Sequence, residues 1–100
     1  MHYSLSSEHL SIGDEDNSMI DKKLDRLHKH LLPPFTTDVR LVRSQHHAKG
    51  DVITCTVNIE QGGKVFHAER TASTIQDALD EVIGALQKEL GRAHDKRKQH

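Results

Sequence analysis

The 100-residue chain has little cysteine and no long apolar run, and each shortage excludes a class of protein. Its single cysteine, Cys55, cannot close an internal disulfide and fits a reducing cytoplasm. No apolar run approaches the roughly 18 residues of a membrane-spanning helix. The N-terminal segment lacks the basic start and the apolar stretch of a secretory signal. We therefore expect one cytoplasmic domain over residues 1–100 that does not bind a membrane.

Motifs for catalysis and metal binding are also missing. The sequence contains no phosphate-binding loop, no nucleophile elbow and no H-E-x-x-H pattern. Cys55 has apolar neighbours, Ile53 and Val57, on its own strand face, which favours a core thiol over a nucleophile. Among the nine histidines, His28 and His30 are two positions apart on a predicted helix. Their side chains diverge by about 200° and do not share one ion. We expect no enzymatic activity, no cofactor and no metal site.

The spacing of apolar residues predicts two amphipathic helices. The first begins after a cap at Asn17 or Ser18 and ends before Pro33. Its apolar stripe consists of Ile20, Leu24, Leu27 and Leu31. The second begins after a cap at Ser73 or Thr74, and its stripe consists of Ile75, Leu79, Val82, Ile83, Leu86 and Leu90.

Alternation of apolar and polar residues predicts four strands, over residues 2–6, 38–45, 52–61 and 64–71. The third is the clearest, because every second side chain is apolar, as in an antiparallel strand with one buried face. A hairpin turn is predicted at 61–64, since its two glycines accept the positive φ that such turns need. The side chains expected to face the core from the third strand are Ile53, Cys55, Val57 and Ile59.

The order β-α-β-β-β-α predicts an α+β fold with two layers, a four-stranded sheet with both helices side by side on its apolar face. Both helices carry cations on their outward faces, although the formal charge of the chain is -1. Favourable interaction with the helix dipole explains cations only in a last turn. We expect a basic groove or ridge in which two sets of residues adjoin: Lys22, Lys23, Arg26 and Lys29 of the first helix, and Lys88, Arg92 and Lys96 of the second.

This charge pattern favours RNA as the ligand. Phosphates attract Lys and Arg largely through counterion release, and RNA helices are recognised mainly by shape and backbone. Because the chain has only one Tyr and two Phe and no Trp, we expect groove or backbone contacts rather than stacking on single strands. An acidic loop has to point away from the RNA; it consists of Glu8, Asp14, Glu15 and Asp16.

The hairpin and the second helix carry a family resemblance. Gly62-Gly63 leads into Val65-Phe66-His67-Ala68, and Ala78-Leu79-Asp80 follows early in the second helix. Leu86-Gln87-Lys88-Glu89-Leu90 and the ending over 94–100 continue the pattern. In these segments and in its element order, the chain resembles the ribosome hibernation factors. That family comprises ribosome-associated translation inhibitors and hibernation-promoting factors, historically also called sigma-54 modulation proteins.

The resemblance implies a role in translation. Members bind the small ribosomal subunit in the mRNA/tRNA channel and block translation under stress or in stationary phase by steric occlusion. The resemblance also implies the short type: one ribosome-binding domain without a C-terminal dimerisation domain, monomeric off the ribosome, and able to act with a second ribosome modulation factor. The residues expected to contact rRNA are Lys22, Lys23, Arg26, Lys29, Lys88, Arg92, Lys96, Arg97 and Lys98.

Two other functions stay open at this point. One is a general double-stranded RNA-binding module, whose sheet and two helices are similar but whose chain usually starts with the helix. The other is a protein-interaction regulator of a transcription factor, as the older family name suggests. Binding to naked RNA duplexes would favour the first, and complexes free of ribosomes would favour the second.

Overall fold

A computed structural model describes the backbone of residues 3–46 and 50–98 and the side chains of residues 3–45 and 50–91. The elements, in chain order, are β1 (Ser4–Glu8), α1 (Asp14–His28), β2 (Phe35–His46), β3 (Gly50–Gln61), β4 (Lys64–Ala72) and α2 (Ile75–Lys98). The strands form one sheet, and both helices pack on the same face of it. The predicted α+β fold with the order β-α-β-β-β-α is confirmed.

The sheet is mixed, with the strand order β1-β2-β3-β4. β1 pairs with β2 in parallel, and α1 supplies the crossover that a parallel pair requires. β2, β3 and β4 pair antiparallel. The predicted hairpin between β3 and β4 is confirmed: Gly62 has a φ of 58° and Gly63 a φ of 79°, the left-handed conformation that glycine adopts without steric cost.

Pairing between neighbouring strands determines where each strand begins and ends. These limits differ from the ones that alternation of apolar and polar residues predicts. β1 begins at Ser4 and ends at Glu8, two positions later than predicted, because it pairs with β2 from Asp38 to Val42. His2, in the predicted first strand, lies outside the described residues. β2 begins at Phe35 rather than residue 38, because its pairing with β3 continues to Gln61. Residues 47–49, between β2 and β3, are also outside the described part.

The core lies between the sheet and the two helices. All four inward side chains predicted for β3 are buried, and so are the predicted apolar stripes of both helices. Thr37 of β2 is the one buried polar residue among the described side chains, and its hydroxyl lies 3.1 Å from His28 Nε2. The His28 ring also lies against Phe35, with 5.0 Å between the ring centroids. His28 is therefore part of the packing beneath the sheet.

The predicted start of α1 is wrong. The helix begins at Asp14 rather than after Asn17 or Ser18, and Gly13 is the N-cap. The Gly13 N–H donates to Asp16 Oδ2 over 3.3 Å. The residues predicted as an acidic loop are thus largely the first turn of α1, where the helix dipole favours negative charge.

α1 also ends earlier than predicted, at His28, and a turn carries the chain on to the prolines. α2 begins after Thr74, whose Oγ1 accepts a hydrogen bond from the Asp77 N–H over 3.1 Å, so Thr74 rather than Ser73 is the cap. Although α2 has 24 residues, no helix in the described part of the chain has a segment long and apolar enough to cross a membrane.

Candidate nucleic-acid interface

The two helices run in the same direction. β1 and β4 point the same way, because β1 is parallel to β2 while β2 and β4 are both antiparallel to β3. Each of these two strands is followed by a helix that returns across the same face of the sheet. Side-chain neighbours agree with this: Lys23 contacts Asp80, and His30, two residues past the end of α1, lines one depression with Gln87 of α2.

Because the helices are parallel, their dipoles point the same way and their acidic first turns lie at the same end of the pair. The first turns of both helices are acidic, and the cations come later in each. The acidic end carries Asp14, Glu15, Asp16, Asp77, Asp80 and Glu81. The later cations are Arg26, Lys88 and Lys29, the C-cap of α1, but acidic residues stand beside them. Asp25 precedes Arg26, and Glu81 and Glu89 line one depression with Lys88.

The alignment of the two parallel helices corrects the predicted basic groove. Lys23 Nζ lies 2.5 Å from Asp80 Oδ1, and Lys22 lines a depression together with Glu15 and Gln76. The prediction that Lys22 and Lys23 adjoin Lys88 is therefore wrong. The start of α1 lies beside the acidic start of α2, because parallel helices that both begin at one end of the domain align start with start.

The predicted contact residues differ in their surroundings. Lys22, Arg26, Lys29 and Lys88 are exposed, and within the described side chains none of these four forms an ion pair. The Lys23 side chain is only 20% exposed and is neutralised by Asp80. The backbone of α2 extends to Lys98, but four predicted contacts have side chains outside the described ones, and their role stays a prediction: Arg92, Lys96, Arg97 and Lys98.

Sequence reasoning missed Arg70 of β4. Arg70 lines a shallow depression with Lys88 and with two carboxylates, Glu81 and Glu89. Its Nη1 donates to the Glu69 carbonyl over 2.7 Å. Glu69 itself faces the other side of the sheet, where it accepts a hydrogen bond from Thr56 over 2.9 Å. Strand alternation could have identified Arg70, because β4 residues an even number of positions from buried Ala68 face the helices.

The sheet face opposite the helices is a poor surface for RNA. Its side chains bond one another across the strands: Arg40 Nη2 donates to Glu8 Oε1 over 2.8 Å, and His67 Nδ1 lies 2.5 Å from Asn58 Oδ1. Arg40 is thus already paired, and the carboxylates on this face repel phosphate. Those carboxylates belong to Glu8, Asp38, Glu60 and Glu69.

Among the described side chains, we find no arrangement typical of a metal site or of an activated nucleophile. No set of three His, Cys, Asp or Glu residues among them lies close enough to hold one ion. Cys55 is fully buried, and burial raises the pKa of its thiol from 9.0 to about 12. A thiol with so high a pKa is a poor nucleophile. Burial, and then the nearby Asp21 carboxylate, likewise raises the pKa of Tyr3 to about 12.

The chain is a two-layer α+β domain, and comparison with known proteins identifies its family. The model of the family described as sigma 54 modulation protein / S30EA ribosomal protein matches residues 3–98. The chain therefore belongs to this family, and the resemblance seen in the sequence is confirmed. Membership supports a ribosome-associated role, and this is not a known enzyme family.

Two solved structures share the fold. The crystal structure of the Thermus thermophilus Protein Y N-terminal domain has 20% sequence identity and a TM-score of 0.74, over 90% of this chain and 94% of that one. The structure of a ribosomal subunit interface protein from Coxiella burnetii has 14% identity and a TM-score of 0.76, over 95% of this chain and 99% of that one. No curated protein sequence matches the chain.

Proposed function

We propose that this chain is a ribosome hibernation factor that binds the small subunit in the mRNA/tRNA channel and blocks translation by steric occlusion. The observation that carries the proposal is the set of exposed cations on the outward sides of the parallel helices. Lys22, Arg26, Lys29 and Lys88 have no carboxylate partner among the described side chains. Family membership and the shared fold support the ribosome as the partner.

The charge distribution suits one orientation on RNA. The later part of the helix pair meets the phosphates, where each cation releases condensed counterions. Asp14 and Glu15 share a depression with Lys22 and Arg26, so in this orientation they lie at the edge of the contact, since carboxylates close to phosphate cost affinity. Lys23 holds the helices together through Asp80 instead of contributing a free charge. In this arrangement the protein performs no chemistry and acts by occupying space.

The proposal also states where and under which conditions the factor acts. The factor acts in the cytoplasm, under stress or in stationary phase, as a monomer when free of the ribosome. A second ribosome modulation factor is the further partner that the family resemblance implies. Arg92, Lys96, Arg97 and Lys98 stay predicted rRNA contacts, and the backbone of α2 extends to Lys98.

Inhibition of translation in a purified system tests the proposal. We expect Arg26→Glu and Lys88→Glu each to raise the concentration for half-inhibition about tenfold, and the double variant about a hundredfold. Arg40→Glu is the matched control, because Arg40 is exposed but lies on the opposite face of the sheet. The concentration of this control variant that gives half-inhibition should stay within about twofold of the wild-type value.

Two outcomes would contradict the proposal. In one, wild type does not inhibit translation, or the double variant inhibits as strongly as wild type. In the other, naked RNA duplexes bind as tightly as small subunits, which would favour a general double-stranded RNA-binding module. Circular dichroism of each variant verifies that the fold is intact, which we expect because Arg26 and Lys88 are exposed.

A further inference from the structure

β4 forms one edge of the sheet, and no strand in the described part of the chain pairs with its outer side. Lys64 pairs with Gln61 across the two-residue turn, so the N–H and C=O groups of alternate β4 residues, beginning with Lys64, point to β3. The backbone groups of the residues between them point to the open side: Val65, His67, Glu69 and Thr71. The Glu69 carbonyl lies there and accepts a hydrogen bond from Arg70 Nη1. β4 thus offers backbone donors and acceptors to a further strand.

The side chains of β4 favour a second copy of the same strand as the partner. In an antiparallel pair with its two-fold axis at Ala68, His67 faces Glu69 of the second copy, and Phe66 faces Arg70 of the second copy. An axis at His67 would place Lys64 opposite Arg70, and an axis at Glu69 would place two glutamates opposite each other. Like charges directly opposite destabilise a strand pair. Charge complementarity therefore selects the axis at Ala68.

α2 lies above the same edge and carries a second set of complementary charges. It packs on β4 and β3 and has α1 beside it. Glu81, Ala85 and Lys88 share one side of α2, where they line a depression with Arg70 of β4. In an antiparallel pair of these helices, an axis between Gly84 and Ala85 places Glu81 opposite Lys88 of the second copy. The small residues at that point allow two helices to approach closely.

The axis of the strand pair and the axis of the helix pair fall at the same height in the domain. α2 returns across the sheet from the end of β4. From Ala72 back to Ala68, the strand covers about 13 Å. From Ile75 to the point between Gly84 and Ala85, the helix covers about 14 Å. One two-fold axis therefore satisfies both pairs, although the charges of the strand and of the helix select it separately.

We propose that a second copy of this chain docks on the side formed by β4 and α2, which joins the two four-stranded sheets into one. On pairing, the His67 N–H of the second copy donates to the Glu69 carbonyl in place of Arg70. The Arg70 guanidinium then packs on the Phe66 ring of the second copy.

The dimer is a second state of the free protein, formed at high protein concentration, and the monomer remains the form that binds the ribosome. Because the dimer engages Lys88, it competes with the proposed rRNA contact of that residue. This competition rests on the proposed function, whereas the dimer itself does not.

Sedimentation equilibrium combined with charge reversal tests the dimer. Between about 10 µM and about 1 mM, the mass of wild type should rise from 11.3 kDa toward twice that value. Glu81→Lys and Lys88→Glu should each weaken dimerisation at least about tenfold, because each pair occurs twice across the axis. The double variant restores both pairs and should dimerise within about threefold of wild type. Glu15→Lys and Lys29→Glu are the matched controls, since both residues are exposed and lie outside β4 and α2.

Hydrogen exchange locates the contact on the strand. As the concentration rises, exchange should slow at the amides that point to the open side of β4, while the open-edge amides of β1 serve as the control. Wild type that stays monomeric up to about 1 mM would overturn the inference. A dimer that Glu81→Lys leaves unchanged, or that protects other amides instead, would also overturn it.

An excess of small subunits separates this inference from the proposed function. Subunits should dissociate the dimer, because they bind the monomer. Subunit binding by the intact dimer would overturn the competition. Dimerisation of a wild-type protein that does not bind small subunits would support the dimer and overturn the proposed function.

Discussion

Lys23 and Asp80 join the two helices through an ion pair, with 2.5 Å between Nζ and Oδ1. Within residues 3–45 and 50–91 it is the one salt bridge between α1 and α2. The pair marks where the two helices lie side by side, and it neutralises one of the cations that the sequence predicts to contact RNA. Lys23 and Arg26 are three positions apart on α1, but only Arg26 has a free charge.

This difference gives a first prediction. Arg26→Gln should reduce the salt slope of small-subunit binding by about 0.7 to 0.9, the loss of one phosphate contact, whereas Lys23→Gln should leave the slope nearly unchanged. Lys23→Gln should lower the free energy of unfolding by about 0.5 kcal/mol, as expected for a partly exposed pair. Urea denaturation of Lys23→Gln, Asp80→Asn and the double variant measures the coupling. Equal slopes for Lys23→Gln and Arg26→Gln would show that Lys23 also contacts phosphate.

The buried thiol gives a prediction about reactivity. Because burial raises the pKa of Cys55 to about 12, little thiolate exists in the folded protein at pH 8. A thiol-labelling reagent should therefore leave the native protein unmodified at pH 8 and label one thiol after denaturant is added. Rapid labelling of the native protein would contradict the described burial.

The same thiol predicts how stability changes at high pH. The pKa of the Cys55 thiol is raised in the folded state. Its contribution to the free energy of unfolding is therefore fully present below pH 9.0 and is lost as the pH rises toward about 12. Above pH 9.0, wild type should lose stability relative to Cys55→Ala by up to about 1.4 kcal/mol per pH unit. Tyr3 shifts in the same direction but cancels in this comparison. A stability difference that stays constant from pH 8 upward would contradict the prediction.

Two neighbouring hydroxyl residues precede α2, and their substitution should affect stability differently. Thr74 caps the helix by accepting the Asp77 N–H, so Thr74→Ala should cost about 1 kcal/mol of stability. Ser73→Ala is the matched control and should change stability by less than about 0.5 kcal/mol. Thermal or urea denaturation measures both. A larger loss at Ser73 would assign the cap to that residue instead.

Two glycines should respond in opposite directions to the same substitution. Gly63 has a φ of 79°, so Gly63→Ala forces a left-handed conformation and should destabilise the protein by about 1–2 kcal/mol. Gly84 lies inside α2, and a Cβ added there meets no atom within 4 Å. Gly84→Ala should therefore stabilise the protein by about 1 kcal/mol through helix propensity. Equal effects at the two sites would contradict the described turn.

Periodicity in the sequence predicts the elements that bury a regular stripe. The alternation from Ile53 to Ile59 and the stripe from Ile75 to Leu90 both lie in the core as expected. The start of α1 escapes prediction because Asn17 and Ser18 are good capping residues, whereas the actual cap, Gly13, has no side chain to signal it.

The surface was harder to predict than the core, because its layout depends on how distant elements meet. Helix periodicity places Lys23 and Lys88 on outward faces, but it does not encode the parallel pairing of β1 with β2 that aligns the helix starts. The Lys23–Asp80 pair follows from that alignment. Arg70 could have been placed on the helix side from strand alternation alone.

Co-sedimentation of the wild-type protein with purified small and large ribosomal subunits over a salt series tests the central claim most directly. The account predicts binding to the small subunit, with a slope of log K against log salt of about -3 or steeper from the four free cations of the described helix faces. Absence of binding at low salt, or binding whose strength does not depend on salt, would contradict it.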